Sequence, residues 1–246
     1  MALVENDLLG KPGIKIVQDS EMFSFSLDSI LLADFVTLKY SDKTICDLGC
    51  GNAPIPLYLS LNTNAQIIGI EIQKKSYDLA QKSVKINNKE DQIKIIYDDI
   101  KNIEQILGKN SCDVVTSNPP FFKYIEGSSN INKNSELTIA RHEVLITLDE
   151  ICKAASYLLK HGGTFAMVHR PDRLIDIIES FRKHGLEPKR LRMVHPKKNK
   201  EANHILIEAR KGGQFGGLKI LPPLIIHTEE NKYTEEVLRI YNNEKE

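Results

Sequence analysis

The chain has 246 residues, of which 41% are hydrophobic and 27% are charged, with 33 basic and 33 acidic side chains. This composition is typical of a globular domain and excludes a disordered or fibrous chain, while a net charge of zero excludes a uniformly basic surface. No apolar run reaches the roughly 18 residues that a membrane span needs, and the N-terminus lacks the apolar core of a signal peptide.

The first half of the chain alternates short apolar runs with segments of helical periodicity. SLDSILLADFV predicts an amphipathic helix ahead of the first run. The apolar runs predict four strands, at 43–49, 66–71, 92–99 and 112–118. Between them, PIPLYLSL, KKSYDLAQKSVKINN and NIEQIL have apolar residues at helical spacing. This βαβ order predicts a parallel sheet with right-handed crossovers.

The second half continues the pattern and then changes it. LDEICKAASYLLKHGG predicts a helix that ends at Gly162 and Gly163, and TFAMVH predicts a fifth strand. A further helix is expected between Pro171 and Gly185. LEPKRLRMVHP and NHILIEARKGG then predict an antiparallel pair, and the tail predicts a short extended piece and a final helix.

The expected fold is therefore α/β, a doubly wound and mostly parallel seven-stranded sheet that ends in an antiparallel hairpin. We divide the chain into an N-terminal segment with its helix at 1–40 and a sheet domain at 41–246. The four cysteines lie in or beside apolar runs and lack the spacing of a zinc site. These features predict a cytoplasmic protein with no structural metal and no membrane segment.

The turn after the first strand, DLGCGNA, carries Asp47, Gly49 and Gly51. Glycines at this point allow a ligand to approach the backbone closely. A dinucleotide fingerprint would need a third glycine where Pro54 stands, so that match fails. An acid ahead of the glycines instead suits the ammonium and sulfonium charges of S-adenosylmethionine.

Acidic residues also end the next two strands. Glu71 follows the second strand at the distance typical of a ribose-binding acid, and Asp98 or Asp99 follows the third, where the cofactor's adenine amino group is expected. Each acid could instead cap the following helix. Three acids at three successive strand ends favour a cofactor site at the carboxyl edge of the sheet.

The fourth strand ends in SNPPFF, which predicts a substrate site. Asn118 Oδ1 and the Pro119 carbonyl can accept the two N–H groups of an exocyclic amino group, and Pro120 stiffens the loop. Phe121 offers a flat face for a flipped-out base. The alternative is a proline turn with two core phenylalanines.

With these motifs the chain resembles the class I methyltransferases that carry an (N/D)-PP-(Y/F) motif, and it is similar to the bacterial tRNA(Val) adenine-N6 methyltransferases. The resemblance rests on IVQDSEMFSFSLDSILLADF, DLGCGNAPIPLYLS, GIEIQ, DDI, SNPPFF and ARHE. It implies methyl transfer from S-adenosylmethionine to the amino nitrogen of an adenine in tRNA, adenine 37 beside the anticodon of valine tRNA. The chain departs from the family at Ala53, where a third glycine is usual.

The resemblance also implies residue roles. Phe25 and Asp28 would belong to an N-terminal element that closes over the methionine end of the cofactor. The expected cofactor contacts are Phe25, Asp28, Asp47, Gly49, Cys50, Gly51, Glu71, Ile72, Asp99, Ile100 and Asn118. The expected catalytic residues are Asn118, Pro119, Pro120 and Phe121.

Basic residues late in the chain suggest contact with RNA through its phosphates. The expected RNA-binding residues are Arg141, His142, Arg170, Lys189, Arg190, Arg192, Lys197, Lys198 and Lys200. A solvated loop is the alternative meaning of such a run. We expect a tRNA partner and no obligate protein partner.

Other functions use the same parts. A guanine amino group in ribosomal RNA or the glutamine amide of a release factor also presents an NH2 to two acceptors. Enzymes of those two types would be expected to carry a duplicated domain or a separate helical N-terminal domain. A cofactor-binding RNA chaperone with a dead site and a nicotinamide-dependent dehydrogenase are the alternatives outside methyl transfer.

Overall fold

The computed structural model of the protein describes residues 3–8, 13–19, 27–121 and 146–244. The strands are β1 (Leu3–Asp7), β2 (Lys15–Asp19), β3 (Thr44–Leu48), β4 (Gln66–Glu71), β5 (Ile93–Tyr97), β6 (Cys112–Ser117), β7 (Leu159–His169), β8 (Leu186–His195), β9 (His204–Lys211), β10 (Lys219–Ile220) and β11 (Leu224–Ile225). The helices are α1 (Leu27–Phe35), α2 (Pro54–Leu59), α3 (Lys74–Ile86), α4 (Ile103–Ile106), α5 (Leu148–Leu158), α6 (Leu174–Lys183) and α7 (Glu235–Tyr241). Short 3-10 turns at Ile100–Asn102 and Pro171–Arg173 precede α4 and α6.

The central sheet confirms the predicted fold class. Its seven main strands run in the order β5-β4-β3-β6-β7-β9-β8. Strands β3 to β7 pair in parallel, and β9 lies antiparallel between β7 and β8. Two-residue strands β10 and β11 add parallel pairing along the outer side of β8. The carboxyl ends of the parallel strands and the start of β9 therefore share one edge of the sheet.

Each face of the sheet packs against its own group of helices. Neighbouring residues of one strand face opposite sides, so Ile45 belongs to one hydrophobic core and Cys46 to the other. Helices α1, α2, α3 and α7 cover the first face, and α4, α5 and α6 cover the second. Because the central strands are covered on both faces, their sequences are continuously apolar rather than alternating.

The hairpin of β1 and β2 is an element that the sequence pattern did not predict. Its pairing is antiparallel from Leu3–Asp19 to Asp7–Lys15. Strand β2 docks on α3, where the Val17 backbone N–H donates to Ser83 Oγ at 2.9 Å. Four residues of β1 are exposed, so this strand lacks the apolar run that marks the central strands.

The predicted end of the helix before the fifth strand was wrong. Helix α5 ends at Leu158, and Leu159 already has the extended backbone with which β7 begins. Gly162 and Gly163 lie inside β7, where the pairing with β6 is irregular. A Cβ on Gly163 would lie 2.9 Å from the Asp113 carbonyl oxygen, and Gly162 has φ +75°. The two glycines thus permit a close strand approach instead of ending a helix.

Within the described ranges, no helix is long and apolar enough to cross a membrane. The same part of the chain contains no group of three or more His, Cys, Asp or Glu side chains arranged to hold a metal ion. All four cysteines are buried free thiols.

Candidate active site at the carboxyl edge of the sheet

Asp47 lies near the end of β3 and is almost completely buried. Its Oδ1 accepts a 2.7 Å hydrogen bond from Thr116 Oγ1, while Oδ2 is buried without a partner in the described part of the chain. Burial raises the pKa of Asp47 to about 7; the Thr116 hydrogen bond opposes this rise and the nearby Glu71 adds to it. A buried, unpaired carboxyl oxygen of this kind is suited to a cationic ligand.

The glycine turn after β3 provides an open cradle beside this acid. Gly49 and Gly51 have φ of +76° and +56°, and a Cβ at either position would have no atom within 4 Å. The backbone N–H groups of Gly49 and Cys50 both donate to the Ile70 carbonyl, at 2.9 and 3.0 Å. The turn is therefore fixed by β4 while its outer side stays open for a ligand.

Ala53, the departure from the family pattern, has φ 71° and ψ 36°. This left-handed conformation costs an L-residue about 1–2 kcal/mol more than a right-handed one and is natural for glycine. The conformation explains why a glycine is usual at this position. The following Pro54 is the first residue of α2, where its missing N–H is not needed.

Glu71 connects the end of β4 to the glycine turn. Its Oε2 accepts from the Gly51 N–H at 2.9 Å, and its Oε1 accepts from the Gln73 N–H at 2.7 Å. Burial raises the pKa of Glu71, and the backbone hydrogen bonds partly offset that rise. Each oxygen keeps a second lone pair, so the carboxylate can still accept from two neighbouring hydroxyl groups of a ribose.

Asp98 and Asp99 both follow β5 and both stabilise the turn there. Asp98 Oδ1 accepts from the Asp99 N–H and from Asn102 Nδ2, and Asp99 Oδ1 accepts from the Lys101 N–H. The helix-capping alternative therefore holds for Asp99, which caps the 3-10 turn at Ile100–Asn102, but not for Asp47. Asp99 keeps acceptor capacity on Oδ2, which lies 3.4 Å from Lys101 Nζ.

These groups fit the cofactor predicted from the sequence. S-adenosylmethionine carries positive charge, a ribose and an adenine, and no phosphate. The edge offers an unpaired buried carboxyl oxygen, glycines with open space, and acids at the ends of β4 and β5. Within the described ranges neither Asp47 nor Glu71 pairs with a basic side chain, and buried acids of this kind suit this ligand and would repel the pyrophosphate of a dinucleotide.

Asn118 follows β6 on the same edge and is held by a residue far away in the sequence. Its Nδ2 donates to Ser29 Oγ of α1 at 3.0 Å. Ser117, the preceding residue, donates from Oγ to the Leu48 carbonyl at 2.9 Å. Because the amide nitrogen donates to Ser29, the Oδ1 oxygen is the amide atom that can accept an N–H.

Phe121 lies between two histidines that sequence reasoning missed. Its ring centroid is 5.5 Å from that of His169, which ends β7, and 5.4 Å from that of His204, which begins β9. His204 Nδ1 lies 3.4 Å from Asp28 Oδ1 of α1. A topological signal could have identified His204, since the first residue of an antiparallel strand lies at the carboxyl edge of its parallel neighbours.

His169 is fully buried. Its Nδ1 accepts from the Arg170 N–H at 2.9 Å, which places the ring proton on Nε2. Burial lowers the pKa of His169 to about 4, with a smaller contribution from Arg173. The imidazole is therefore neutral near pH 7 and packs against Phe121 as an uncharged ring.

The basic residues divide into two groups. The first group holds β8 to its neighbours and consists of Lys189, Arg190 and Arg192. Lys189 Nζ donates to the Gln214 and Gly216 carbonyls, and Arg192 donates to the Pro222 carbonyl and to Glu236. Arg190 donates to the Phe35 carbonyl, to Thr37 and to Glu208. Lys197, Lys198 and Lys200 lie instead on the β8–β9 turn at the carboxyl edge. Arg170 follows β7 at the same edge and pairs with Asp172 at 3.1 Å.

Three predicted site residues lie outside the described ranges. These are Phe25, Arg141 and His142. Of the remaining predicted cofactor residues, Asp28 lies in α1 and Asn118 follows β6. The others, including Cys50, Ile72 and Ile100, follow or end the strands β3, β4 and β5 at the shared edge.

Gly69 of β4 packs against the glycine turn after β3, and replacing it with alanine should destabilise the protein. The new Cβ would lie 2.7 Å from Cys50 Sγ and 2.9 Å from Ile95 Cδ1. Overpacking of this kind lowers the free energy of unfolding by about 1–3 kcal/mol. Denaturant unfolding would measure the change. Gly108→Ala, with no atom within 4 Å of the new Cβ, is the matched control and should shift stability by less than about 0.5 kcal/mol; equal losses in both variants would contradict the packing argument.

Comparison with known proteins identifies a family model and relatives that this chain matches. A family model described as a methyltransferase domain matches residues 39–210. A protein of Porphyromonas gingivalis named tRNA1(Val) (adenine(37)-N6)-methyltransferase is 31% identical over 198 residues, which cover 79% of this chain and 76% of that protein. A protein of the same name from Trichodesmium erythraeum is 28% identical and covers 92% of both chains.

Solved structures share the fold. A predicted O-methyltransferase from Agrobacterium tumefaciens superposes with a TM-score of 0.69 at 21% identity, covering 88% of this chain and 95% of that chain. Geranyl diphosphate C-methyltransferase from Streptomyces coelicolor, in complex with S-adenosyl-L-homocysteine, gives a TM-score of 0.55 at 12% identity over 74% of this chain and 78% of that chain. At these identities the likeness is one of fold.

Proposed function

Because this chain belongs to the methyltransferase family, within the group of tRNA1(Val) (adenine(37)-N6)-methyltransferases, we propose that it methylates the exocyclic amino nitrogen of an adenine in tRNA. S-adenosylmethionine is the methyl donor, and the proposed target is adenine 37 beside the anticodon of valine tRNA. The observation that carries the site assignment is the Asn118 amide, oriented by Ser29 at the edge that also holds Asp47 and Glu71.

The donor, when bound, supplies an activated methyl group on a positively charged sulfur. Asp47 would neutralise that positive charge and the neighbouring ammonium group with its unpaired Oδ2. Glu71 would accept the ribose hydroxyls, and Asp99 would accept from the adenine amino group. The open glycine turn would let the backbone lie against the ligand.

The acceptor clamp, which we define as Asn118 Oδ1 and the Pro119 carbonyl oxygen, would act on the target base. An exocyclic amino nitrogen is a weak nucleophile because its lone pair is delocalised into the ring. Two acceptors, one for each N–H, pull the nitrogen toward tetrahedral geometry and make that lone pair available. They also stabilise the positive charge that develops on the nitrogen as the new N–C bond forms.

Proton release completes the reaction. The methylated nitrogen carries one proton too many, and a nitrogen conjugated to the base ring holds that proton weakly. The acceptor clamp keeps the N–H groups oriented until one proton passes to water. A strong general base is therefore not required. This agrees with His169, because its lowered pKa makes the imidazole a weak base and its Nδ1 lone pair already accepts the Arg170 N–H.

A labelled methyl donor tests the proposal. The protein would be incubated with valine tRNA, with the same tRNA carrying guanine at position 37, with ribosomal RNA and with a release factor. We expect label in the first substrate alone, recovered as N6-methyladenosine after digestion to nucleosides. Label in guanosine or in protein would support one of the alternatives and overturn the adenine assignment.

A further inference from the structure

A groove of about 610 Å³ lies between the β8–β9 turn and the segment that follows β11. It is lined by Pro196, Lys197, Lys200, Glu201, His227 and Asn231. We propose that this tip groove binds an unpaired nucleotide of the RNA next to the target base. The inference rests on the proposed function and assigns a second RNA contact to the same edge of the sheet.

The pairing of β8 with β9 places the tip groove close to the acceptor clamp. His204, whose ring is 5.4 Å from that of Phe121, pairs with Val194 of β8. Pro196 follows Val194 by two residues, so strand spacing and rise place the groove roughly 10–15 Å from Phe121. That distance is within reach of the nucleotides that flank a flipped-out base.

The lining of the tip groove suits a nucleotide. The lining residue His227 stacks on Tyr233, which lies beside the groove, with ring centroids 5.2 Å apart and an interplanar angle of 22°; Tyr233 is 40% exposed. Such a flat aromatic pair can support a nucleobase. Lys197 and Lys200 supply positive charge for a phosphate, and Asn231 supplies donors and an acceptor for a base edge.

Glu201 helps to define the ligand class. A carboxylate in the groove can accept from the amino group of a base, whereas it would repel an acidic peptide. A ligand that carries one phosphate and one planar, amino-bearing ring satisfies both the lysines and this acid. The groove is therefore suited to a nucleotide.

The groove is held in shape by backbone hydrogen bonds. The Lys200 N–H donates to the Lys197 carbonyl at 3.0 Å, and His195 Nδ1 lies 2.7 Å from the Lys200 carbonyl. The His227 N–H donates to the Pro196 carbonyl at 3.0 Å, which connects the two walls. Lys197 Nζ donates to the Glu229 carbonyl at 3.1 Å and has two further donors. A preformed groove loses little conformational freedom on binding.

Paired variants test the assignment on the full chain. For Lys197→Ala/Lys200→Ala and for Tyr233→Ala, we expect KM for valine tRNA to rise roughly tenfold, with kcat and the affinity for S-adenosylhomocysteine unchanged. In the double-lysine variant, the slope of log affinity against log salt concentration should fall by about 1–2. Lys82→Ala/Lys85→Ala, an exposed pair on α3, is the charge-matched control, and Tyr233→Phe keeps the ring.

The outcomes separate the inference from the function on which it rests. If the wild type methylates tRNA while the groove variants retain its KM, or while the α3 pair changes KM equally, the groove assignment is overturned. If the wild type binds S-adenosylhomocysteine but methylates no tRNA, the proposed function fails, and the groove assignment with it. A photocrosslink from 5-bromouridine beside the target base to Tyr233 would support the site directly.

Discussion

Replacing Asn118 with alanine should lower kcat for methyl transfer by about 10²–10³-fold, the usual effect of removing one group that stabilises charge in a transition state. The alanine cannot accept an N–H from the target amino group, so the nitrogen lone pair stays delocalised in the ring. The affinity for S-adenosylhomocysteine should change little, because the proposed cofactor contacts of Asp47 and Glu71 are unchanged in this variant. Single-turnover methylation of valine tRNA would measure the change.

Two further variants separate the acceptor role from a folding role. Asn118→Asp retains an oxygen acceptor, and an aspartate is accepted at this position in the (N/D)-PP-(Y/F) motif, so it should keep much more activity than the alanine variant. Ser29→Ala removes the 3.0 Å hydrogen bond that orients the amide and should have a smaller effect of about tenfold. A kcat equal to the wild-type value in Asn118→Ala would contradict the acceptor mechanism.

The second large effect is expected for Asp47→Asn, which should weaken S-adenosylhomocysteine binding by about 10- to 100-fold at pH 8. A charge-assisted hydrogen bond is worth about 1.5–3 kcal/mol, and each 1.4 kcal/mol corresponds to a factor of ten. Asparagine keeps the shape of the side chain and removes its negative charge. Isothermal titration calorimetry would measure the dissociation constants.

The same residue should make cofactor binding depend on pH. Burial raises the pKa of Asp47 to about 7 in the unliganded protein, so the carboxyl must lose a proton before it can pair with a cation. Wild-type affinity for S-adenosylhomocysteine should rise by up to about tenfold per pH unit below 7 and level off above it. The asparagine variant should lose the part of this slope that belongs to Asp47. The same slope in both proteins would contradict the assignment.

Stability provides the control for this variant. A carboxyl whose folded pKa lies above its unfolded value contributes stability below the unfolded pKa, about 3.9, and that stability is lost as pH rises to about 7. At pH 8 the wild type holds an ionised carboxylate in a buried position, whereas Asp47→Asn does not. The variant without ligand should therefore unfold at an equal or higher denaturant concentration at pH 8. Weakened binding could then not be attributed to unfolding.

The basic residues show where sequence reasoning reached its limit. One charged run, KRLRMVHPKKNK, indicates RNA contact as a whole, and nothing in its composition separates its halves. In the folded chain, Arg190 donates to buried Glu208 at 3.1 Å and to the Phe35 carbonyl at 3.0 Å. Its charge is committed inside the fold, whereas Lys200 is exposed at the carboxyl edge. We therefore restrict the proposed RNA surface to the turn and to Arg170.

By itself, the sequence determined the order of the strands β3 to β9 and of the helices between them, the parallel sheet, and the acids and glycines that follow or end β3 to β5, although it did not predict the hairpin of β1 and β2. These features follow from local patterns, because residue spacing sets which side chains share a face and turn chemistry sets where a strand ends. The end of α5 at Leu158 was not predicted correctly, because glycines commonly end a helix, whereas here they permit two strands to approach closely.

Only the tertiary structure decided the orientation of Asn118, the burial that raises the pKa of Asp47, and the placement of Phe121 between His169 and His204. Asn118 and Ser29 are 89 residues apart in the chain. Contacts over such a separation depend on how the layers pack against one another, and no local pattern records that packing.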